Sequence, residues 1–552
     1  MKYSIQIKYS VNGKIYDTAS TETEHFSLET AEKDNTLTIK ILPKTKLEIS
    51  DFNLVFPFKY NKTDKIFVNG YQSWTDSLEY SPDGQMQELS TLTEFLIMKS
   101  PLKNVGFNKS GDNLFHKFPR QSGIFYGWFY GYVRNGSKIN LFGSLSEKSG
   151  YTIITFDTNK DSVIVSKDLE GVTFTKETEL LSFVTLNDDY DKAFDLYFEQ
   201  MGIVCRENKR RTGYTTWYNY YGNVNERVVI RDLNSISESG VKFDCFQIDD
   251  GYQNAIGDWL DTDRTKFPSG MKKIAERIHE NKMLAGLWLA PFAGTKNSKL
   301  YKEHRDWFIK DNKGKPFKTG HNWGGFYSLD IYNPEVRDYL KHVFDVVLND
   351  WGYDLVKLDF LYGACILPMH NKSRGEIMCD AMDFIRECCG DKLILGCGVP
   401  LMPAFGKVDY CRIGSDISLS WNKKKHIIRE EVSTPHAVCN TIFRRHLDGR
   451  AWMNDPDVFL LRDSNNKMSL DQRRLVAKIN SVCGSLLFVS DNVAEYSKEQ
   501  LEILKDTFEN KNTKIISAEF VKEDIIHLSF TENGKEKYLE FNAHTGKLLS
   551  FA

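Results

Sequence analysis

Apolar and polar residues alternate from the start of the chain. Tyr3, Ile5, Ile7, Tyr9 and Val11 fall on one face of an extended segment, and Asn12-Gly13 follows as a hairpin turn signal. TLTIKIL, KINLFGSL, YTIITFD and VTFTKETELLSFV carry the same signature through about residue 185, which predicts a large antiparallel β-sandwich. A helical stretch near Tyr190 to Met201 and the polar run at 209–211 then mark a boundary before Gly213. Beyond it the period changes. Short apolar runs such as FDCFQIDD and MLAGLWLAP alternate with amphipathic stretches such as PSGMKKIAERIHENK, the pattern of a parallel βα array. Probable strand ends fall at Trp217, Asp249, Trp288, Asp359, Cys397, Arg412, Asp455 and Asp491, with spacings of 32, 39, 71, 38, 15, 43 and 36 residues. Eight ends predict a closed but irregular barrel: the longest gap holds an extended loop with HNWGGFYSLD, and the shortest has no room for a full helix. After about Asn492 one more helix precedes alternation at Ile526, Leu528 and Phe530 and a second turn signal at Asn533-Gly534, read as a small terminal sandwich.

The predicted fold class is therefore α/β. A central (β/α)8 TIM-type barrel at 191–495 stands between an amino-terminal β-sandwich of the supersandwich kind at 1–190 and a small antiparallel β domain at 496–552. Composition supports a globular chain: of 552 residues, 41% are hydrophobic, 27% charged and 13% aromatic. The 72 basic and 75 acidic side chains nearly cancel, so no global field favours nucleic acid or anionic lipid, and a neutral partner fits better. The longest apolar stretch, Met283 to Gly294, is much shorter than the roughly 20 residues of a membrane helix, so no membrane span is expected. The amino-terminal segment lacks the apolar block of a secretory signal, which predicts a cytoplasmic protein. All ten cysteines lie between Cys205 and Cys483, several inside apolar runs, and are expected to be reduced and buried.

Barrel enzymes carry their chemistry where strands end, so polar residues closing apolar strands are the candidates. Asp249-Asp250 closes FQI, and two carboxylates turned to one ligand accept hydrogen bonds from vicinal hydroxyls; a helix cap or solvated turn accounts for one of them equally well. Lys357 and Asp359 share a strand face, where the ammonium keeps the carboxylate ionised, as a nucleophile requires; an internal ion pair is the structural alternative. In Arg412-Ile413-Gly414-Ser415-Asp416 the glycine lets the backbone bend, bringing Asp416 over the mouth with Arg412 beneath; an ordinary strand-to-loop turn has the same spacing. Two carboxylates in different surroundings are what glycoside cleavage needs. Trp217, Trp288 and the upstream Trp74 of VNGYQSW are either core residues or faces for the C-H side of a sugar.

Other chemistries find little. Gly396-Cys397-Gly398 lacks the third glycine of a dinucleotide loop, the histidines at 304, 321, 426, 436 and 446 show no HExxH spacing, and no GxSxG elbow or zinc-ligand set occurs. A barrel aldolase or isomerase would want a Schiff-base lysine, for which only Lys357 qualifies, and Asp359 beside it favours an ion pair. A non-catalytic sugar-binding protein would be expected to lack one of Asp359 and Asp416, and both are present. Lys423-Lys424-Lys425 reads as a solvated loop or a lid following Trp421.

The series WYNYYG, FQIDDGYQNAIGDW, FPSGMKKIAERIHE, GLWLAPF, VKLDFLYGA, LGCGVPL, CRIGSD and WMNDPD, from about Tyr214 to Asp457, resembles glycoside hydrolase family 36, the bacterial α-galactosidases. The resemblance implies a retaining, exo-acting hydrolase of terminal α-galactosides such as melibiose or raffinose, with no cofactor and no metal. It implies Asp359 as nucleophile and Asp416 as general acid/base. It also implies a sugar subsite of Asp249, Asp250, Lys357, Cys397, Arg412, Trp217 and Trp288, with Trp74 lent by the amino-terminal domain. The stretch Gly396-Cys397-Gly398-Val399-Pro400-Leu401 resembles the compact, thermophilic-type members and departs from the glycine-rich segment of longer ones. α-N-Acetylgalactosaminidases and α-galactosyl transferases of the same family remain alternatives, with Cys397 pointing toward plain galactose. The expected partner is a small carbohydrate, and the sequence leaves the oligomeric state open.

Overall fold

The computed structural model describes residues 2–86, 121–421 and 432–552. The amino-terminal part is a sandwich of two seven-stranded antiparallel sheets. One runs in the order Lys14–Thr18, Ser4–Val11, Leu47–Pro57, Ser162–Asp168, Tyr151–Asp157 and Ile124–Trp128, with Thr173–Phe174 beside Leu47–Pro57. The other runs from Phe26–Lys33 through Thr36–Pro43, Thr178–Asp189, Lys138–Ser144, Tyr130–Asn135 and Lys65–Val68 to Leu78–Tyr80. The first alternation is real: Ile5, Ile7, Tyr9 and Val11 are buried between exposed neighbours, and Asn12-Gly13 turns the hairpin with φ of 49° and 79°. Ile7, Phe26, Ile39, Leu54, Phe156 and Phe183 belong to a core of the sandwich's own.

The central sheet is parallel and curls on itself. Its strands are β1 (Arg211–Thr215), β2 (Cys245–Ile248), β3 (Leu284–Leu289), β4 (Leu355–Leu358), β5 (Leu393–Gly396), β6 (Tyr410–Arg412), β7 (Met453–Asp455), β8 (Val458–Phe459) and β9 (Leu486–Val489). Hydrogen bonding follows the order β7-β6-β5-β4-β3-β2-β1-β9-β8. The two terminal strands of that order are neighbours in the chain. Only Pro456 and Asp457 separate β7 from β8, so both are halves of one interrupted strand that bonds β6 on one side and β9 on the other. The circle of eight thus closes through a broken seventh strand. A proline, unable to donate to a ladder, and an aspartate at φ 74° account for the break.

Helices α1 (Glu226–Glu238), α2 (Met271–Glu280), α3 (Pro334–Asp345), α4 (Arg374–Cys389), α5 (Thr434–Phe443) and α6 (Leu470–Cys483) follow six of the strands. Between β5 and β6 only a turn of 3-10 helix, Met402–Ala404, fits. The long gap before β4 holds a three-stranded antiparallel sheet of Ala293–Thr295, Lys318–Gly320 and Phe326–Ser328. After α7 (Lys498–Phe508) comes a four-stranded antiparallel sheet, Lys514–Lys522 to Lys547–Phe551. It is a single sheet, not the expected sandwich: Ile526, Leu528 and Phe530 turn one face into the same core as the barrel, so no second sheet is needed to cover them. All ten cysteines are free and seven are buried. Among the described residues no helix is long and apolar enough to cross a membrane. The lysine run at 423–425 lies outside the described residues.

Candidate active site

Asp359 is the first residue past β4, and its N–H donates to the Leu289 carbonyl of β3 at 2.9 Å, which fixes its backbone at the barrel mouth. Its carboxylate accepts from Trp288 Nε1 at 3.1 Å and from the Phe360 N–H at 2.8 Å. Burial pushes this carboxyl above its ordinary value, Lys357 and the Trp288 hydrogen bond pull it back, and the charge of Asp416 raises it further. Lys357 is not the direct partner of Asp359 that the two-residue spacing suggests. Its Nζ lies 2.9 Å from Asp249 Oδ2, so the ammonium acts on Asp359 through space while its bond goes to β2's end. The reason is lateral. β3 separates β4 from β2, and there Gly286 carries no side chain, so Gln247 passes close over it; an added Cβ would stand 3.1 Å from the Gln247 side chain. Burial lowers the Lys357 pKa, and Asp249 more than offsets this, leaving the group firmly charged.

The Asp249-Asp250 pair is held on all sides. Asp249 accepts from Gln247 Nε2 at 2.7 Å and from the Asp250 N–H at 2.9 Å, and its own N–H donates to Thr216 Oγ1 at 2.9 Å. Asp250 accepts from Gln253 Nε2 at 2.6 Å and from Trp323 Nε1 at 2.8 Å. Burial raises the Asp250 carboxyl, against those two donors, and the charges of Asp249 and Asp359 add to the rise. Neither aspartate is a helix cap: the next helix, α2, begins at Met271.

The third carboxylate group stands opposite. Arg412, at the end of β6, spreads its guanidinium over three acids: Nη1 lies 2.8 Å from Asp416 Oδ1, Nη2 2.7 Å from Asp457 Oδ1, and Nε 3.3 Å from Asp455 Oδ2. Asp457 also accepts from the Ile417 N–H at 2.8 Å and from the Tyr218 hydroxyl. The Asp416 side chain keeps 39% of its surface exposed, whereas Asp359 is buried, so one acid lies at the floor of the mouth and the other opens to solvent.

The walls are aromatic. Trp288 meets Trp259 and Trp323 at ring distances of 5.8 and 6.0 Å. Trp74 comes from the sandwich, on the segment between Lys65–Val68 and Leu78–Tyr80, and packs edge-on against Phe360 at 5.2 Å. Arg444, at the end of α5 and fully buried, ties that segment down: it donates to the carbonyls of Ser73 (2.7 Å), Thr75 (2.9 Å), Gln72 (3.0 Å) and barrel residue Ile413 (2.7 Å). Cys397, just past β5, is buried, and its thiol is pushed up by burial and the Asp359 charge, which suits a neutral wall rather than a nucleophile. Gly398, at φ 53°, leaves the space that the Trp74 ring fills. Trp217 lies on the short helix Trp217–Tyr220 and touches Tyr221 at 5.2 Å, whose hydroxyl pKa is raised by burial and by the Asp416 charge; like Trp74, Trp217 is only partly buried. Residues that the sequence did not single out also take part, Trp323, Gln253, Phe360 and Asp457, beside Asp455, expected only as a strand end, and Tyr218, expected with Trp217 among the aromatics at the first strand end. WMNDPD and HNWGGFYSLD stood out as segments, but no periodicity says which of their side chains turn inward. Among the described residues no cluster of three or more histidine, cysteine or acidic side chains is disposed to hold a metal ion.

A family model described as Melibiase matches residues 186–371, a stretch that includes Asp249, Asp250, Lys357 and Asp359 and ends before Asp416. The A type blood α-D-galactosamine galactosaminidase of Flavonifractor plautii is 32% identical over 159 residues, 27% of this chain and 14% of that protein. Alpha-galactosidase 2 of Pediococcus pentosaceus is 28% identical over 159 residues, 27% of this chain and 21% of that one. The aligned region thus spans about a fifth or less of the length of these curated relatives. In three dimensions the α-galactosidase of Thermus thermophilus, solved in complex with p-nitrophenyl α-D-galactopyranoside, matches with a TM-score of 0.71 at 23% identity, covering 96% of this chain and 98% of that one.

Proposed function

We propose that this chain, similar to the glycoside hydrolase family 36 α-galactosidases in sequence over residues 186–371 and in fold along nearly its whole length, is a retaining, exo-acting α-galactosidase that cleaves terminal α-D-galactosides of the melibiose and raffinose type. The observation that carries the reading is the pair of acids across one aromatic mouth, Asp359 at its floor and Asp416 at its rim. Asp359 attacks the anomeric carbon, held in line by Trp288 and kept anionic by the Lys357 charge. Asp416 gives its proton to the departing oxygen, and a galactosyl ester forms on Asp359. The leaving group departs, water enters on the open side beside Asp416, and the same carboxylate, now a base, takes its proton as the ester breaks. Asp249 and Asp250 have the acceptor oxygens, and Lys357 the donor, to grip the sugar hydroxyls, with Arg412, Cys397, Trp74, Trp217 and Trp288 around them.

Asp359→Ala tests the assignment: turnover of p-nitrophenyl α-galactoside should fall by about four orders of magnitude or more and return on adding azide as an external nucleophile, because the cavity left by the carboxyl admits the anion. A variant as fast as the parent removes the assignment. A second reading is an α-N-acetylgalactosaminidase or an α-galactosyl transferase of the same family; the Flavonifractor relative, an α-D-galactosamine galactosaminidase by name, favours an amino-sugar substrate within it. Release from the N-acetylgalactosaminide alone decides for it. We also read residues 1–190, 191–495 and 496–552 as the three domains, supported by the sheets that each contains, and place the protein in the cytoplasm, where ten free thiols fit a reducing milieu.

A further inference from the structure

The break in the seventh barrel strand puts an acid where the mechanism above has no use for one. Asp457, 1% exposed, is neither the nucleophile nor the acid/base, and it lies at a positive φ of 74° that a non-glycine residue adopts at a cost. Both its oxygens are committed. Oδ1 is 2.7 Å from Arg412 Nη2, and Oδ2 accepts from the N–H of Ile417, the residue after Asp416, as well as from the Tyr218 hydroxyl. Asp455 adds a third acid on Arg412 Nε and receives the Asp457 N–H at 2.9 Å. One guanidinium therefore serves three carboxylates, only one of which faces the leaving group.

Resting on the reading of Asp416 as acid/base, we propose that Asp457 is its positioning residue: it clamps the backbone beside Asp416 and engages the far side of Arg412, so that the guanidinium is shared among three carboxylates and is not spent on Asp416 alone. An aspartate alone with an arginine at 2.8 Å is stabilised as the carboxylate and makes a poor acid. Two further acids on the same guanidinium offset that pull. The charge imbalance is visible on Asp457 itself, whose carboxyl burial pushes up to about 6, against Arg412 and with help from the Asp416 and Asp455 charges. Other groups facing the cluster are Tyr218 and Tyr221 from the segment after β1, and Asp359, Cys397 and the Lys357 ammonium across the mouth. Arg462 adds a second positive charge near Tyr221. The Asp457 carboxylate joins Arg412 to the backbone N–H of Ile417, directly beside Asp416.

The test is the pH profile of kcat/KM on melibiose, whose sugar leaving group needs a proton, for the full chain and for Asp457→Asn. Removing one neighbouring negative charge favours the ionised Asp416, so the basic limb should move to lower pH by about one unit. Asp457→Glu, which keeps the charge, should return the limb toward its original place. Should Asp457→Asn not fold, Tyr218→Phe takes its place: without that hydroxyl Asp457 ionises less readily, and the limb moves the same way by less. With 2,4-dinitrophenyl α-galactoside, whose leaving group departs unprotonated, the displaced limb should be missing from the glycosylation step. A folded variant that is uniformly slower with the basic limb unmoved overturns the proposal and leaves the enzyme assignment standing. A parent protein that turns over no α-galactoside overturns the assignment itself, and this inference with it.

Discussion

Lys357 bonds one aspartate and charges the surroundings of another, and Lys357→Met separates these two effects. The ammonium lies 2.9 Å from Asp249; the Cα atoms of Lys357 and Asp359 are two residues of extended chain apart, about 6.6 Å, and that spacing is taken as the scale of the charge separation. At an effective dielectric constant of about 20, opposite unit charges at that distance attract by about 2.5 kcal/mol, which corresponds to nearly two pH units in the Asp359 titration. Water entering the mouth weakens this, so a shift of about one unit or more is the expectation. The sign is fixed by the mechanism. In the proposed mechanism Asp359 must be ionised to attack; burial already raises its pKa, and Lys357 is the largest influence holding it down. Without the ammonium the carboxyl keeps its proton to higher pH, and the acidic limb of kcat/KM on p-nitrophenyl α-galactoside moves up. Lys357→Arg, retaining the charge, should leave that limb nearly in place. Stability also drops, because Asp249 loses its counter-ion; removing one partner of a buried pair costs about 3 to 5 kcal/mol, lessened here by the Gln247 and Asp250 donors that remain. The assay is the rate profile from pH 4 to 9 at substrate well below KM, with circular dichroism to confirm folding. A folded Lys357→Met enzyme whose acidic limb coincides with the parent's refutes the reasoning.

Two further substitutions probe the contribution of the sandwich to the mouth. Gly398→Ala places a Cβ 2.8 Å from the Trp74 ring and 3.0 Å from the Phe360 nitrogen, at a backbone angle of 53°, so about 2 kcal/mol of stability should be lost and KM should rise; thermal unfolding together with Michaelis kinetics reads both. Arg444→Met removes the donors to four backbone carbonyls at 3.0 Å or less, at a cost of about 3 kcal/mol or more. Denaturant unfolding measures that loss, and a parent-like KM in the folded fraction would mean that Trp74 is placed by something other than this tether.

The strand ends were legible because each short apolar run stops at a polar residue: Asp249, Asp359 and Cys397 each directly follow their strand, and Arg412 and Asp455 are the last residues of theirs. Trp288 is the penultimate residue of β3, and Trp217 stands two residues past β1. The partnership of Lys357 was not legible, because sequence spacing reports neighbours along a strand and this bond crosses an intervening one. Trp323 was hidden for a different reason. It arrives from the 71-residue interval after Trp288, where the backbone turns at φ 54° and no period links position to direction. The terminal β unit was misjudged in its layers because alternation shows that a face is covered, not that a second sheet covers it.

The barrel's circle is completed by two half-strands flanking Pro456 and Asp457, and the same interruption supplies the carboxylate that bonds the backbone beside Asp416, the proposed proton donor. Architecture and reactivity therefore share a keystone. The proposed nucleophile lies just past the fourth strand, more than fifty residues before Asp416 and nearly a hundred before the seam, so the mouth that holds both proposed acids exists only in a cylinder whose last strands have closed on the earlier ones.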